Sequence, residues 1–274
     1  MNEQIKPEGL KEVQLYLLDQ FVKVCEKHNI HYWLEGGSAL GAYRHSGFIP
    51  WDDDIDIGIF YDDYHFLIKK LKEELPNDIF VQDGTTDNFP EIGYATKLRY
   101  KNSRIVEKGF TDNKYVQTHN INQGIFIDIF PFSQVPFKLS PFFSNLVFRV
   151  LAVYNDIQFE TFTGKKRRIA KIMRRFLPLP IVLLCLKGYR KLGKLLNKNL
   201  YAIDVQYFIQ KDFYKKEWLI PTQKLLFENK PYNVPANITE YLTEHYGSNY
   251  MTVPPIEEQN RAKHIISYEI FSKN

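Results

Sequence analysis

The 274-residue sequence predicts an α+β protein, a mixed β-sheet flanked by helices with a mainly helical C-terminal part. Three observations carry this. Short β-forming runs alternate with helix-period segments through the first half of the chain. Within that half, two aspartates alternate with isoleucines at residues 54–57, a period-2 pattern with one polar and one apolar face. From Pro136 onward the apolar spacing turns broadly helical, so the chain divides into a candidate catalytic core at residues 1–136 and a helical region at 137–274 packed on it.

The first element is an amphipathic helix over residues 10–25, with Leu10, Val13, Leu17, Leu18, Phe21 and Cys25 at helical spacing. After Asn29, Tyr32-Trp33-Leu34 is extended. Gly36-Gly37-Ser38 then supplies conformational freedom and an N-cap for a helix from about Ala39. A glycine-led helix start presents free amides, so Gly36, Gly37 and Ser38 are candidate phosphate ligands.

Sixteen residues beyond Ser38 lies Asp54-Ile55-Asp56-Ile57. In a strand Asp54 and Asp56 share a face, while Ile55, Ile57 and Ile59 enter the core. Asp52 has the parity of the pair, and Asp53 faces away if the strand already begins there. Two carboxylates on one face repel, and a hard divalent cation, Mg²⁺ or Mn²⁺, resolves the conflict while leaving room for phosphates. Asp62-Asp63 is expected to cap a helix reaching residue 75.

Short strands follow at Ile79–Gln82 and at residues 94–100, 104–107 and 125–130. The last holds one acid, Asp128, as a third candidate ligand. In the strand before it Lys97 and Arg99 share a face, either to neutralise phosphate or simply to meet solvent. His31 and His65 have no nucleophile partner and read as packed or exposed side chains.

Residues 142–162 and 169–207 read as helices. Between them, residues 165–175 carry seven basic side chains, followed by an apolar run through 186. That combination fits an anionic membrane surface, and a solvated helix face is the open alternative. The tail offers a strand at 227–234, a helix at 238–245 ended by Gly247, and a basic pair, Arg261 and His264.

Composition excludes more than it assigns. The net charge of +4 is too mild to argue for nucleic acid. Cys25 and Cys185 are too few for a disulfide framework or a thiolate metal site, and read as reduced, buried thiols. No signal-peptide pattern opens the chain, and the apolar run at 177–186 falls well short of the roughly 20 residues of a spanning helix. The expectation is a cytoplasmic protein, with peripheral contact at the inner membrane face through residues 165–186.

A glycine turn with serine, followed by an Asp-x-Asp strand, resembles the nucleotidyltransferase superfamily. More closely, Gly36, Gly37, Leu40, Gly41, Arg44, Phe48-Ile49-Pro50-Trp51-Asp52, Asp54, Asp56, Phe126, Asp128 and Phe130-Pro131 resemble the LicD family of phosphocholine transferases. Tyr246-Gly247, Tyr250-Met251 and Pro254-Pro255 extend the resemblance to about residue 264, and fukutin-related protein is similar to the same blocks.

The resemblance implies a nucleotidyltransferase-like fold. It implies Asp54, Asp56 and Asp128 as catalytic metal ligands, with Gly36, Gly37, Ser38, Arg44 and Lys97 on the donor, and it places His45, Arg261 and His264 near the site. It implies CDP-choline as donor, transfer of phosphocholine to a hydroxyl of a lipid-linked glycan of lipopolysaccharide or teichoic-acid type, and release of CMP. The acids alone leave other CDP-alcohols open, ribitol and glycerol among them. They also leave open a metal-dependent glycosyltransferase and a non-catalytic membrane assembly protein.

Overall fold

The structure is a computed structural model that describes residues 9–206 and 211–271. Helix α1 (Leu10–Lys27) buries Val13, Leu17, Leu18, Phe21 and Cys25, the stripe its periodicity requires. Strand β1 (Tyr32–Leu34) leads into α2 (Gly36–His45), and β2 (Asp56–Phe60) runs directly into α3 (Tyr61–Glu74). Strands β3 (Ile79–Gln82), β4 (Thr96–Tyr100) and β5 (Ser103–Glu107) follow. A short helix, α4 (Lys114–Thr118), is capped by Asn113, whose side chain accepts from the Tyr115 amide. Strand β6 (Phe126–Gln134) closes this half.

β6 is the axis of the sheet. β2 pairs with it in parallel, and β4 pairs antiparallel along its other edge at residues 126–129, in the order β1-β2-β6-β4-β3. The parallel register sets Asp56 opposite Asp128.

The second half supplies α5 (Pro141–Tyr154), α6 (Asp156–Glu160), α7 (Gly164–Phe176) and α8 (Leu179–Leu196). The helical expectation for 169–207 fails at Leu196. Strand β7 (Leu200–Ile203) pairs with residues 132–134 of β6, the length that β4 leaves uncovered. β8 (Tyr214–Lys215) adds to β7, and α9 (Lys216–Leu219) follows. The strand expected at 227–234 is a hairpin of β9 (Gln223–Phe227) and β10 (Lys230–Val234). Glu228 and Asn229 at its turn both take positive φ, 50° and 64°. Last come α10 (Ile238–Tyr246), α11 (Ile256–Ala262) and β11 (Ile265–Ile270), which pairs with β5.

One apolar cluster runs from Val13 in α1 to Leu242 in α10, and includes Tyr214, Phe227, Tyr232 and Tyr241 from the second half. Helices α5 to α8 build their own, around Leu151, Phe159, Ala170 and Leu186. Among the described residues no helix is long and apolar enough to cross a membrane.

Candidate active site

The site forms where β2 begins. The strand starts at Asp56, so Asp54 lies in the extended segment before it rather than inside the strand as its alternation suggested. The Asp128 amide donates to the Ile55 carbonyl at 2.9 Å, locking the two acidic segments side by side. Asp52, Asp54 and Asp56 line one cleft of about 590 Å³, and Asp128 adjoins them from β6.

Burial pushes the Asp54 and Asp56 carboxyls well above the usual carboxylate range. For Asp54 the charges of Asp52 and Asp128 add to the effect, and for Asp56 those of Asp54 and Asp128. Burial also raises Asp128, against the opposing pull of Lys97, and raises Asp52, which shares a hydrogen bond with Asp54. Among the described residues, the one salt bridge to Asp54, Asp56 or Asp128 is from Lys97, whose ammonium lies 2.8 Å from both oxygens of Asp128. The donor set is hard oxygen with an excess of negative charge, the composition that suits Mg²⁺ or Mn²⁺.

Carboxylate oxygens of Asp52, Asp53 and Asp54 come within 4.8 Å of one another. Those of Asp53, however, already accept the His264 and Ile265 amides at 2.8 to 3.2 Å. Asp53 is therefore committed to those amides and clips β11 to the front of the sheet, although the strand that its alternation assumed begins only at Asp56.

The glycine turn is built differently from its expectation. Helix α2 starts at Gly36 with Glu35 as N-cap, and Ser38 lies inside the first turn. The Ser38 hydroxyl accepts the Asp56 amide at 2.9 Å, so it holds β2 against α2 instead of capping the helix. Gly36 carries the positive φ, +51°. Gly37 lets the Asp52 carboxylate come close, since a Cβ there would sit 2.5 Å from Asp52 Oδ2 and displace it. The Gly36 amide donates to the Tyr241 hydroxyl at 2.9 Å and the Ser38 amide to the Glu35 carbonyl at 3.0 Å, so both are already used within the protein.

Sequence reasoning missed the network behind that turn. Glu35, 3% exposed, accepts from Tyr241, and His245 lies beside it, bridged to Asp212 at 3.1 Å and to the Tyr214 hydroxyl at 2.7 Å. Burial alone would lower the His245 pKa, but the Asp212 hydrogen bond and the charge of Glu35 raise it. Burial raises Glu35. The one signal available was Tyr241 and His245 four apart on a helix, and that spacing does not say what the pair faces.

Arg44 lines the cleft, but its guanidinium is partly committed, donating to the Tyr250 carbonyl at 2.7 Å and to His45 at 2.9 Å. It thereby holds the loop after α10 over the site. Lys97 and Arg99 share a face as expected, and neither meets solvent. Both are buried, Lys97 on Asp128 and Arg99 on Gln82 and the Gly124 carbonyl. His264 lines the cleft, whereas the Arg261 side chain is outside the described residues. The helix expected to be capped by Asp62-Asp63 starts earlier, with Phe60 as N-cap, and those acids sit in its first turn, where the helix dipole favours them. The largest described cavity, about 1030 Å³ between α3 and α8, holds none of the four acids.

Carboxylates gathered where β2 begins and across on β6, beside a glycine-led helix, define a nucleotidyltransferase-like site. Residues 29–146 match the LicD/FKTN/FKRP nucleotidyltransferase domain, so the chain carries a domain of the LicD family. It is 27% identical over 269 residues to the lipopolysaccharide cholinephosphotransferase LicD of Haemophilus influenzae, covering 91% of this chain and 94% of that protein. It is 50% identical over 55 residues to the human ribitol 5-phosphate transferase FKRP, a match covering 20% of this chain and 10% of FKRP. An uncharacterized Rickettsia prowazekii protein, RP689, is 37% identical over 122 residues, 43% of each chain. These relatives indicate a phosphotransferase.

Proposed function

We propose that the protein transfers phosphocholine from CDP-choline to a hydroxyl of a cell-surface glycan precursor, of lipopolysaccharide or teichoic-acid type, with Mg²⁺ or Mn²⁺ held by Asp54, Asp56 and Asp128. The observation that carries the reading is one cleft that joins acids and aromatic rings. Asp52, Asp54 and Asp56 line it, and Trp51, Tyr246 and Tyr250 supply aromatic rings in the same cavity. Acids with a bound cation suit a diphosphate, and aromatic faces suit a quaternary ammonium.

The bound cation would supply charge neutralisation for the donor phosphates. The Gly37 amide and the unshared edge of Arg44 orient the donor. Lys97 keeps Asp128 in place, and Asp128 accepts the proton of the incoming hydroxyl. Attack at the phosphorus next to choline forms the sugar O–P bond, breaks the bridging P–O bond and releases CMP. This reading goes with a cytoplasmic enzyme working beside a lipid-linked acceptor.

Transfer of ribitol phosphate from its CDP ester is the second reading, favoured by the 50% identity to FKRP over 55 residues. The test is CMP release from CDP-choline, CDP-ribitol and CDP-glycerol with Mg²⁺, with and without extracted glycan, and UDP-sugars alongside. Acceptor-dependent release from CDP-choline is expected. Release from CDP-ribitol alone would move the assignment to the second reading, and turnover of UDP-sugars alone would replace both.

A further inference from the structure

Helix α7 turns its apolar side chains outward. Ala170 is its one buried residue, packed in the cluster of α5 to α8. On the opposite side Ile169, Ile172 and Phe176 are 58%, 57% and 78% exposed. At 3.6 residues per turn they fall within an arc of roughly 60°. A helix in a globular protein normally buries such a stripe, and here it is the stripe that faces solvent.

The basic run divides the same way. Three of its seven cations are used inside the protein. Arg167 pairs with Glu160 at 3.1 Å, Arg174 pairs with Asp156 at 2.9 Å and donates to the Val153 carbonyl, and the Lys166 ammonium sits 4.0 Å over the Phe162 ring. The other four, Lys165, Arg168, Lys171 and Arg175, are exposed and make no ion pair among the described residues; Lys165 lies within the apolar stripe, Arg168 and Arg175 flank it, and Lys171 lies farther round the helix. No acid interrupts them, since α7 contains none. Beyond Phe176 the chain enters α8, where Ile181 and Leu184 are also exposed.

We propose that α7 docks the protein on an anionic lipid surface, with Ile169, Ile172 and Phe176 inserted at the headgroup boundary and the four outward cations against lipid phosphates. Charge complementarity selects this occupant. Cations spread along a convex helix match a diffuse sheet of phosphates, and their aliphatic stems let the charges reach headgroups while the apolar residues sink.

The test is flotation of the full chain with phosphatidylcholine vesicles, with and without phosphatidylglycerol, and it needs no catalytic readout, so its failure and that of the transferase reading are separable. Binding to the phosphatidylglycerol vesicles alone is expected, weakening as salt shortens the Debye length from about 10 Å at 0.1 M to about 3 Å at 1 M. The variant K165Q/R168Q/K171Q/R175Q should bind on the order of a thousandfold more weakly, from four basic residues at the usual contribution of each near a membrane. I172D should also lose binding. A charge-matched control, K23Q/K108Q/K216Q/K224Q, alters exposed lysines elsewhere and should bind as the parent does. Equal binding to pure phosphatidylcholine, no binding, or equal loss in both quadruple variants would overturn the proposal. So would a dimer in sedimentation that I172D dissociates.

Discussion

At the residue scale the site is an electrostatic conflict that the protein leaves largely uncompensated. Asp54→Asn and Asp56→Asn should each lower transfer roughly a thousandfold or more, since a lost cation forfeits several kcal/mol of transition-state stabilisation. The same substitutions should raise the thermal midpoint of the metal-free protein, because each removes a repelling buried charge. Assay and differential scanning fluorimetry in EDTA check the two arms, and a lowered midpoint would show that these carboxylates are structural. Lys97 behaves oppositely. Lys97→Met strands Asp128 as a buried, unpaired charge, for a loss of about 3–5 kcal/mol by urea denaturation. The double variant Lys97→Met/Asp128→Asn should recover much of that loss, and no recovery would mean the lysine acts through something other than this pair. Asp54, Asp56 and Asp128 were legible in the sequence because alternation and an isolated acid in an apolar strand are local signals. Glu35 and His245 were not, because Tyr241 and His245 reach Glu35 from more than 200 residues downstream.

At the element scale, the pairing of β2 with β6 makes stability depend on pH in a definite direction. Asp52, Asp54, Asp56, Asp128 and Glu35 are all raised, so above the ordinary carboxylate value near pH 4 the folded chain holds more protons than the unfolded one. Stability then falls as pH rises through that window. His245, also raised, adds stability below its unfolded value of about 6.5 and loses it as pH climbs through the folded value, which reinforces the trend. Thermal midpoints in EDTA should therefore decline from about pH 5 to about pH 8. Mg²⁺ should raise the midpoint most at the upper end, where the carboxylates are ionised. A flat profile, or equal stabilisation by Mg²⁺ at both ends, would remove the metal from this cluster. The misread elements share one cause, boundaries decided by partners that no local pattern announces. α2 starts at Gly36 because Gly36 takes a positive φ and its amide meets Tyr241, and β2 starts at Asp56, where its parallel register with β6 begins opposite Asp128. The β9–β10 turn at Glu228-Asn229 lacks the glycine by which hairpins are usually recognised.

At the scale of the whole molecule, the recognisable domain and the cooperative unit differ. The family match ends at residue 146, yet the main core takes Tyr214, Phe227, Tyr232, Tyr241 and Leu242 from beyond it. β7 covers the last three residues of β6, and β11 is held by Asp53 beside the acidic cluster. The cleft itself needs both halves of the chain, since the acids of 52–56 and Tyr246, Tyr250 and His264 line it together. Periodicity located the acids, but only the family resemblance set Arg261 and His264 near them, because nothing in a tail's own periodicity names its partner. A fragment of residues 1–146 should therefore lack cooperative thermal unfolding and bind a hydrophobic dye, since it would expose the faces that β7, β10 and α10 cover. The full chain should unfold with the main core as one transition. Calorimetry of both decides the matter: a cooperative transition in the fragment, with a well-dispersed NMR spectrum, would make the first half an autonomous domain and the tail a separable addition.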